Sequence, residues 1–585
     1  MAVQWLKRLV TPRDRSRSAA RRFRLAIEAL EHRVVPAVDT ILEWNGFLLQ
    51  ANAADHALSA PEQGGPILTA RAFAIVSTAM YDAYNSVENI GDAYLVTAPN
   101  ATNADADAAV AQAAHNTLVA LYPSQQSVFD AELRDTLGRI PDGNRETRGR
   151  AVGVYVAQRI LAARANDGAA TMNTPQYTAT GVLGFHGVDP LHTSQGFYGP
   201  HAGDIAPFAV MSVDQFAAPR LDNGTAAGRA AFLQSQKYTA AYNELIALGS
   251  DGVSAPTQRT AEQTQIGIFW AYDGRPGLGT PPRLYNEIAR TLAAQEHNSE
   301  ADNARMFALV NIAMADAGFT AWNDKYDNQF WRPIMGIRSG AADGNPATVG
   351  NANWTPLGAP VSNPRPNETN FTPPFPAYTS GHATFGAAAF QMLARFFGKD
   401  DIRFSVTSDE FNGSTRGSDG TVRPVVTRTF SSLTAAKLEN AQSRIYLGIH
   451  WSFDATQGIR TGDRVANYVF DHLLQVDDRG HGHDGHGHDH DHGSDHKAVP
   501  STGAGPSNAE SVSLMAAPVV VSESAMASAH ETADSLAQPV DRSMVRETEP
   551  TLTLRLSRSR AESRAETPAL KLLHHFETDE SGDTA

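Results

Sequence analysis

Apolar residues recur every three or four positions through most of residues 39–475, whereas the strict alternation expected of strands is rare. This spacing gives each segment one apolar face and predicts an all-α protein built from helix bundles with long connecting loops. The predicted helices span residues 67–87, 104–121, 128–140, 148–163, 226–248, 259–272, 282–295, 301–322, 380–397, 432–447 and 461–474.

Changes in composition divide the chain. Residues 340–376 are rich in glycine, proline and asparagine and predict a long loop. Helical periodicity ends near residue 478, where a tract rich in histidine, aspartate and glycine begins. We therefore expect a basic segment at 1–38, a helical catalytic domain at 39–478, a linker at 479–496, and a low-complexity, disordered tail at 497–585.

Composition excludes several classes of site. The 585 residues include no cysteine, which rules out disulfides, thiolate metal sites and a cysteine nucleophile. Hydrophobic residues make up 42% of the chain, enough for a large core, but no run approaches 18 consecutive apolar residues. The sequence therefore predicts a protein without a membrane span.

Positive charge is concentrated at the start of a chain whose formal net charge is −15. A basic head on an acidic protein favours an address over a nucleic-acid site. The stretch from Arg21 to Ala37 resembles the N-terminal sorting segments of certain large exported bacterial proteins, which have an arginine-rich start and a Leu-Glu-x-Arg core. We expect export from a bacterial cytoplasm; the alternative is a solvated amphipathic helix.

Three short clusters carry the candidate chemistry. In chain order they are Lys325, Arg332 and Pro333; Thr379, Ser380, Gly381 and His382; and Ser443, Arg444, His450 and Asp454. Two guanidinium groups and one ammonium group supply charge and N–H donors for the oxygens of a phosphate-like ion. The second cluster precedes a predicted helix, whose first-turn amides and dipole favour an anion. The clusters therefore predict a cage for a tetrahedral oxyanion, with His382 and His450 left for chemistry.

Each residue also has a plainer interpretation when it is taken alone. The lysine and the arginines could be ordinary partners of carboxylates, and the histidines could be satisfied core residues. Asp454 could be a helix partner four residues after His450. The cage is favoured because these coincidences would all have to occur in one chain.

The clusters resemble the signature of the superfamily that joins vanadium-dependent haloperoxidases to type 2 phosphatidic acid phosphatases and bacterial non-specific acid phosphatases. In that signature a lysine stands seven residues before Arg-Pro. Pro-Ser-Gly-His follows, and Ser-Arg, five residues, His, three residues and Asp complete it. The chain departs at Thr379, which stands where the signature has proline, so the backbone entering the Ser-Gly-His turn is less restricted.

The flanking sequence resembles fungal-type vanadium chloroperoxidases and their bacterial relatives over roughly residues 258–460. The similar stretches are Phe269-Trp270-Ala271-Tyr272-Asp273-Gly274, Gly279-Thr280-Pro281-Pro282-Arg283-Leu284-Tyr285-Asn286, Phe330-Trp331-Arg332-Pro333 and Pro374-Phe375-Pro376-Ala377-Tyr378. This resemblance implies a helical-bundle fold and a haloperoxidase that oxidises chloride or bromide with hydrogen peroxide to hypohalous acid. Phe375 favours chloride, because bromoperoxidases often carry histidine there.

The resemblance also implies a role for each residue. The implied cofactor is vanadate, vanadium(V), held by Lys325, Arg332, Ser380, Gly381, His382 and Arg444 and bonded to His450. Among the catalytic residues, His382 moves protons, Lys325 polarises the bound peroxide, and Asp454 receives the other ring N–H of His450. Asp273 pairs with Arg444, while Trp322 and Phe375 line the halide side.

Two other functions remain open on the sequence. A secreted acid phosphatase would use the same cage through a phosphohistidine intermediate. A metal-binding surface protein would use the histidine-rich tract at 480–496, which can bind divalent ions but fixes no geometry. A small organic acceptor and a homodimer are both compatible with the sequence, and neither is indicated by it.

Overall fold

The computed structural model describes residues 39–476. The expected export segment at 1–38, the histidine-rich linker and the C-terminal tail lie outside these residues. The helices of the described part are α1 Thr40–Asp55, α2 Gly65–Glu88, α3 Ala106–Leu121, α4 Gln126–Gly138, α5 Asn144–Arg164, α6 Ala226–Leu233, α7 Gln236–Leu248, α8 Ala261–Phe269, α9 Pro281–Gln295, α10 Glu300–Asn328, α11 Pro333–Arg338, α12 Gly381–Phe397, α13 Leu433–Tyr446 and α14 Ser452–His472. One antiparallel hairpin, β1 Phe404–Thr407 and β2 Thr427–Phe430, lies between α12 and α13.

The all-α prediction is confirmed, but several helix boundaries differ from the periodicity. The predicted helix 226–248 is two helices, because the Ser235 side chain accepts a hydrogen bond from the Tyr238 amide and caps a new start. Helix α14 begins at Ser452, nine residues before the predicted 461, and the apolar spacing did not predict α1 and α11. The long loop at 340–376 is present, with one short 3₁₀ turn at its start.

Helix α10 runs through the middle of the core and packs against α2, α12 and α14. Its length of 29 residues carries it from the N-terminal helices to the first cluster. Within residues 39–476, no helix combines the length and apolarity needed to cross a membrane. The second and third clusters meet α10 at its C-terminal end, so this helix positions the candidate site.

Small residues let α14 approach the start of α12. A Cβ atom at Gly462 would lie 2.4 Å from the Thr384 carbonyl oxygen, and one at Gly458 would lie 2.9 Å from the Ser380 carbonyl oxygen. The close packing continues into a hydrogen bond, in which the Ser380 amide donates to the Asp454 carbonyl at 3.0 Å. The second and third clusters are therefore joined through their backbones.

Candidate active site

The first cluster lies where α10 ends and α11 begins. Gln329 adopts the left-handed conformation that ends α10, and Arg332 precedes Pro333 at the start of α11. Lys325 is in the last turn of α10 and is fully buried. Its ammonium donates to the carbonyl oxygens of Pro376 and Ala377, each at 3.2 Å, and to that of Thr379. Lys325 therefore fixes the loop that leads into the second cluster.

Arg332 connects the loop before α12 to the loop before α14. Its Nε donates to the Phe375 carbonyl oxygen at 2.8 Å, and Nη1 donates to that of Ile449 at 2.8 Å. Nη1 also lies 2.9 Å from Nε2 of His450. The remaining nitrogen, Nη2, is buried and has no partner in the described structure. The N–H groups of Nη2 are therefore free to donate to an anion.

The second cluster forms the start of α12. Ser380 is the N-cap, and its hydroxyl accepts from the Ala383 amide. The first-turn amides that follow have no helical acceptor, which suits an anion. His382 donates from Nε2 to the Ala271 carbonyl oxygen at 2.6 Å, which leaves Nδ1 as its other functional nitrogen. Burial lowers the pKa of His382 well below its ordinary value, and the nearby Arg444 charge lowers it further.

His450 and Asp454 form a buried pair at the start of α14. Nδ1 of His450 lies 2.9 Å from Oδ2 of Asp454, and the same oxygen accepts from the Trp451 amide at 3.0 Å. Because a guanidinium can only donate, the Arg332 contact makes Nε2 the lone-pair nitrogen and places the ring proton on Nδ1. The ring therefore has the tautomer needed to present Nε2 to a metal.

Burial shifts both members of this pair toward their neutral forms. It lowers the pKa of His450 well below its ordinary value, and the Arg332 and Lys325 charges act in the same direction. Burial raises the pKa of Asp454 to about 7, although the Trp451 amide and the two nearby cations oppose this shift. Its Oδ1 atom is buried without a partner in the described residues. An anion beside His450 would offset the neighbouring positive charge.

Arg444 enters from the last turn of α13 and meets Asp273, which follows α8. Its Nη2 donates to both carboxylate oxygens of Asp273, at 2.8 and 3.0 Å. This is the pair that the sequence resemblance implied. Nε and Nη1 of Arg444 are buried and have no partner in the part of the chain that the structure describes. Two further donors are therefore available beside His382 and His450.

A cavity of about 240 Å³ adjoins the cluster residues. Gly381, His382, Arg444 and His450 line it together with Asp273. Lys325, Arg332 and Ser380 do not line this cavity but adjoin the residues that do: Arg332 contacts His450, Lys325 bonds to the loop that leads into α12, and Ser380 begins that helix. The structure thus brings all the predicted site residues together, although only some of them face the open space.

Trp322 and Phe375 form one wall of the same cavity. Their ring centroids are 4.8 Å apart. The Phe375 ring also lies under two cations, with its centroid 5.2 Å from the Lys325 ammonium and 4.9 Å from the Arg332 guanidinium carbon. These aromatic faces keep water away from the charged groups and so strengthen their electrostatic effect.

Some positioning residues were missed in the sequence analysis. The Tyr285 hydroxyl and the Asn440 amide both donate to the backbone carbonyl of His382, at 3.2 and 2.9 Å. The Tyr285 hydroxyl also lies 3.0 Å from Oδ1 of Asn440. Tyr285 falls in a stretch that resembles the chloroperoxidases, which could have drawn attention to it. Asn440 carries no such signal.

Two family models match separate parts of the chain. A family model described as the vanadium chloroperoxidase N-terminal domain matches residues 35–179, and one described as the VCPO second helical-bundle domain matches residues 305–478. The chain is 34% identical over 489 residues to vanadium chloroperoxidase from Curvularia inaequalis, which covers 71% of this chain and 79% of that relative.

Solved structures show the same fold at lower identity. A bacterial vanadium-dependent iodoperoxidase superposes with a TM-score of 0.58 at 22% identity, covering 76% of this chain and 97% of that one. The apo-type structure of a bacterial vanadium-dependent chloroperoxidase gives a TM-score of 0.53 at 15% identity, covering 70% and 93%. The helical architecture is therefore shared across this set of structures.

Proposed function

This chain belongs to the vanadium chloroperoxidase family and is a vanadate-dependent haloperoxidase, and we propose that the cage around His450 is where it holds vanadate. The observation that carries this proposal is the set of unused donors. Nη2 of Arg332 and both Nε and Nη1 of Arg444 are buried without partners in the described structure. Buried donors without acceptors are costly, and a bound oxyanion removes that cost.

The charge of the cage also fits an anion. Three buried cations, Lys325, Arg332 and Arg444, face the two carboxylates of Asp273 and Asp454. Burial lowers the pKa of Arg332 to about 9, and the Arg444 charge adds to this effect. A negative ion among these groups lowers their mutual repulsion and satisfies their N–H donors together.

Each residue then has a defined task. Nε2 of His450 would bind the metal, because Asp454 holds the ring proton on Nδ1. Arg332, Arg444, the Ser380 hydroxyl and the Gly381 amide would hold the oxygens. His382 would take up or release a proton at Nδ1, because its Nε2 proton is committed to the Ala271 carbonyl. Lys325 adds positive charge and fixes the Pro376–Thr379 loop.

When bound, vanadate supplies a Lewis acid that activates hydrogen peroxide toward attack by a halide. The chain's own contribution is to orient the reactants and to exclude water. The walls formed by Trp322 and Phe375 would exclude water from the space in which a halide meets the activated peroxide. Cage and wall together would hold the reactants in one cavity lined by His382 and by the aromatic faces.

The decisive experiment compares metal-free protein with and without added orthovanadate. Peroxide-dependent bromination and hydrolysis of p-nitrophenyl phosphate are measured on the same samples. We expect bromination to appear only with vanadate and phosphate ester hydrolysis to stay at background. Hydrolysis that vanadate inhibits, without bromination, would instead indicate the acid phosphatase that the cage alone also allows.

We further propose that residues 1–38 direct export and that the tract at 480–496 binds divalent metal ions weakly. Both proposals rest on composition, since a basic, arginine-rich start and closely spaced imidazoles are the supporting features. Deleting residues 479–585 should abolish Ni²⁺ retention and leave halide oxidation intact. Fusing residues 1–38 to a reporter and fractionating bacterial cells tests export.

A further inference from the structure

His186 is a buried histidine outside the cage, and its ring has no hydrogen-bond partner in the described structure. The residue is 3% exposed, and both Nδ1 and Nε2 are buried without a partner among the described residues. Burial lowers the pKa of His186 well below its ordinary value, and the Arg332 and Lys325 charges act in the same direction. The ring is therefore neutral and has one N–H donor and one lone-pair acceptor to satisfy. Buried polar atoms left in this way are costly and rare, so they indicate a bound partner.

A small cavity is lined by both His186 and Arg332. We name it the His186 cavity; it is separate from the larger cavity beside the cage, whose lining includes neither residue. Its volume is about 10 Å³, close to the roughly 10–15 Å³ that one buried water molecule needs. The His186 cavity therefore suits a single water molecule and is too small for an organic ligand.

Asp189 also lines the His186 cavity. Its carboxylate accepts from the Leu191 amide at 2.9 Å and from the Thr372 amide at 3.2 Å, and it lies 2.9 Å from Nδ1 of His192. A carboxylate offers about four lone-pair positions, so one remains for a hydrogen of a water molecule. The cavity thus offers a water both donors and acceptors, as a buried water requires.

The backbone holds the His186 ring close to the turn between α10 and α11. The His186 amide donates to the Gln329 carbonyl oxygen at 2.7 Å, and the Tyr177 hydroxyl donates to the His186 carbonyl oxygen at 3.2 Å. The ring meets Phe197 edge-on, with the two centroids 5.5 Å apart. Because Gln329 stands three residues before Arg332, these contacts fix the ring beside the segment that carries the guanidinium.

Arg332 has an N–H group that can serve the His186 cavity. Its Nε and Nη1 atoms donate to the carbonyl oxygens of Phe375 and Ile449, each at 2.8 Å, whereas Nη2 has no partner among the described residues. Nη2 carries two N–H groups, so it can donate to vanadate and to a water molecule at the same time. A water that accepts the second N–H would oppose movement of the guanidinium away from the anion.

We propose that one buried water molecule occupies the His186 cavity, accepts from Nη2 of Arg332 and donates to the lone-pair nitrogen of His186. His186 is thereby a positioning residue, which keeps Arg332 oriented toward vanadate without touching the ion. This inference rests on the proposed vanadate site, because Arg332 is one of the residues that hold the oxygens there. Groups that orient a metal-site ligand in this way typically contribute about tenfold to a hundredfold in affinity.

The test measures vanadate binding directly, by equilibrium dialysis of the full-length, metal-free protein against orthovanadate. His186→Leu keeps a buried side chain of similar size and removes both ring nitrogens, so the vanadate Kd should rise about tenfold. The bromination rate at saturating vanadate should fall much less, because His186 contacts no reactant. A histidine that only fills space predicts an unchanged Kd, and that result would overturn the proposal.

Two further variants separate hydrogen bonding from packing. His186→Gln keeps a donor and an acceptor for the water and should recover most of the lost affinity. Met335→Leu changes an apolar side chain of the same cavity and is the matched control, so its vanadate Kd should equal that of the unmodified protein. Thermal unfolding of each metal-free variant checks that it is folded. An equal loss of affinity in all three variants would assign the effect to packing and contradict the role of the water.

A crystal structure of the unmodified enzyme soaked in bromide gives evidence that depends on no variant. We expect electron density for one water within hydrogen-bond distance of Arg332 and His186, and no anomalous bromide signal in the His186 cavity. A cavity without density, or one that holds bromide, would overturn the proposal. Failure of the unmodified protein to bind vanadate would instead overturn the proposed site, whereas equal binding by the unmodified protein and His186→Leu would overturn only the role of His186.

Discussion

Two buried arginines show how differently this fold treats positive charge. Arg229 in α6 is 1% exposed, and each of its three nitrogens is used: Nε donates to Asp222, Nη1 to the Gly184 carbonyl and Nη2 to the Asn328 carbonyl. Arg444 is equally buried, at 1% exposure, yet among the described residues only its Nη2 atom has a partner. All three nitrogens of the Arg229 guanidinium donate to groups of the protein, whereas two nitrogens of the Arg444 guanidinium have no acceptor among the described residues.

The contrast separates a structural cation from one that serves a ligand. Completing a buried guanidinium stabilises the fold, because its desolvation is offset by hydrogen bonds. Leaving Nε and Nη1 of Arg444 unpaired costs stability that the fold can recover only when something binds. Burial and residue type alone do not reveal this difference, since both residues are arginines in the core. The unpaired N–H donors of Arg444, together with their place beside His382 and His450, indicate it.

The largest effect is expected when His450 is replaced. His450→Ala removes the ring nitrogen whose lone pair faces Arg332, so vanadate-dependent bromination should fall to background. The circular dichroism spectrum should be unchanged, because the hydrogen bonds around Arg229 stay in place. The measurement is the initial bromination rate with excess orthovanadate. Appreciable vanadate-dependent rate in this variant would contradict the role assigned to His450.

Replacing the structural cation should damage the fold and leave the chemistry alone. Arg229→Gln leaves Asp222 and two buried carbonyl oxygens without their hydrogen-bond donor. The free energy of unfolding should therefore drop by about 3–5 kcal/mol. The bromination rate per folded, vanadate-loaded molecule should stay within about twofold, because Arg229 contacts no cage residue. Urea unfolding followed by tryptophan fluorescence measures the loss. A stable variant with weakened vanadate binding would reverse the assignment.

The third change removes the incomplete cation. Arg444→Gln should weaken vanadate binding about tenfold to a hundredfold, as expected for losing a charged hydrogen bond of about 1.5–3 kcal/mol. The vanadate-free protein should lose much less stability than Arg229→Gln does, since Asp273 is the only side chain left behind. Titration with orthovanadate, monitored by recovered bromination, gives the affinity. Equal stability losses in the two variants, with unchanged affinity, would erase the distinction between them.

The sequence was sufficient to predict that these charged residues and histidines meet, but not how they bond to one another. Charged residues at fixed spacing identify an oxyanion site, because few other ligands need two arginines, a lysine and paired histidines. That Lys325 would spend its donors on three carbonyl oxygens could not be foreseen, since the path of the 376–379 backbone depends on the whole fold.

Helix boundaries failed where a local cap overrides apolar periodicity. Ser235 interrupts a run that reads as one helix, because its hydroxyl offers the Tyr238 amide an alternative acceptor. The start of α14 was missed because Ser452–Asp454 carries a capping turn and no repeating apolar pattern. The cavity beside the cage was equally hidden, because its walls join residues as distant as Pro61 and Phe385.

The smallest effect is expected at Glu300, a half-buried acid that pairs with no cation in the part of the chain that the structure describes. Glu300 accepts from the Thr40 amide at 3.0 Å, and burial together with nearby Asp107 raises its pKa from 4.5 to about 8. Because the folded-state pKa is the higher one, this group favours folding fully below pH 4.5, and that contribution is lost as the pH rises toward 8.

Glu300→Gln keeps an acceptor for Thr40 without the charge, so the free energy of unfolding at pH 8 should rise by about 1–2 kcal/mol. Unfolding at pH 5 and pH 8 should then differ less than in the unmodified protein, whereas Glu296→Gln, at a carboxylate that pairs with Lys399, should leave that difference unchanged. If Glu300→Gln keeps the original pH dependence, an unpaired charge in a half-buried position does not lower the free energy of unfolding outside the cage. Unpaired donors on Arg444 would then no longer indicate a ligand site.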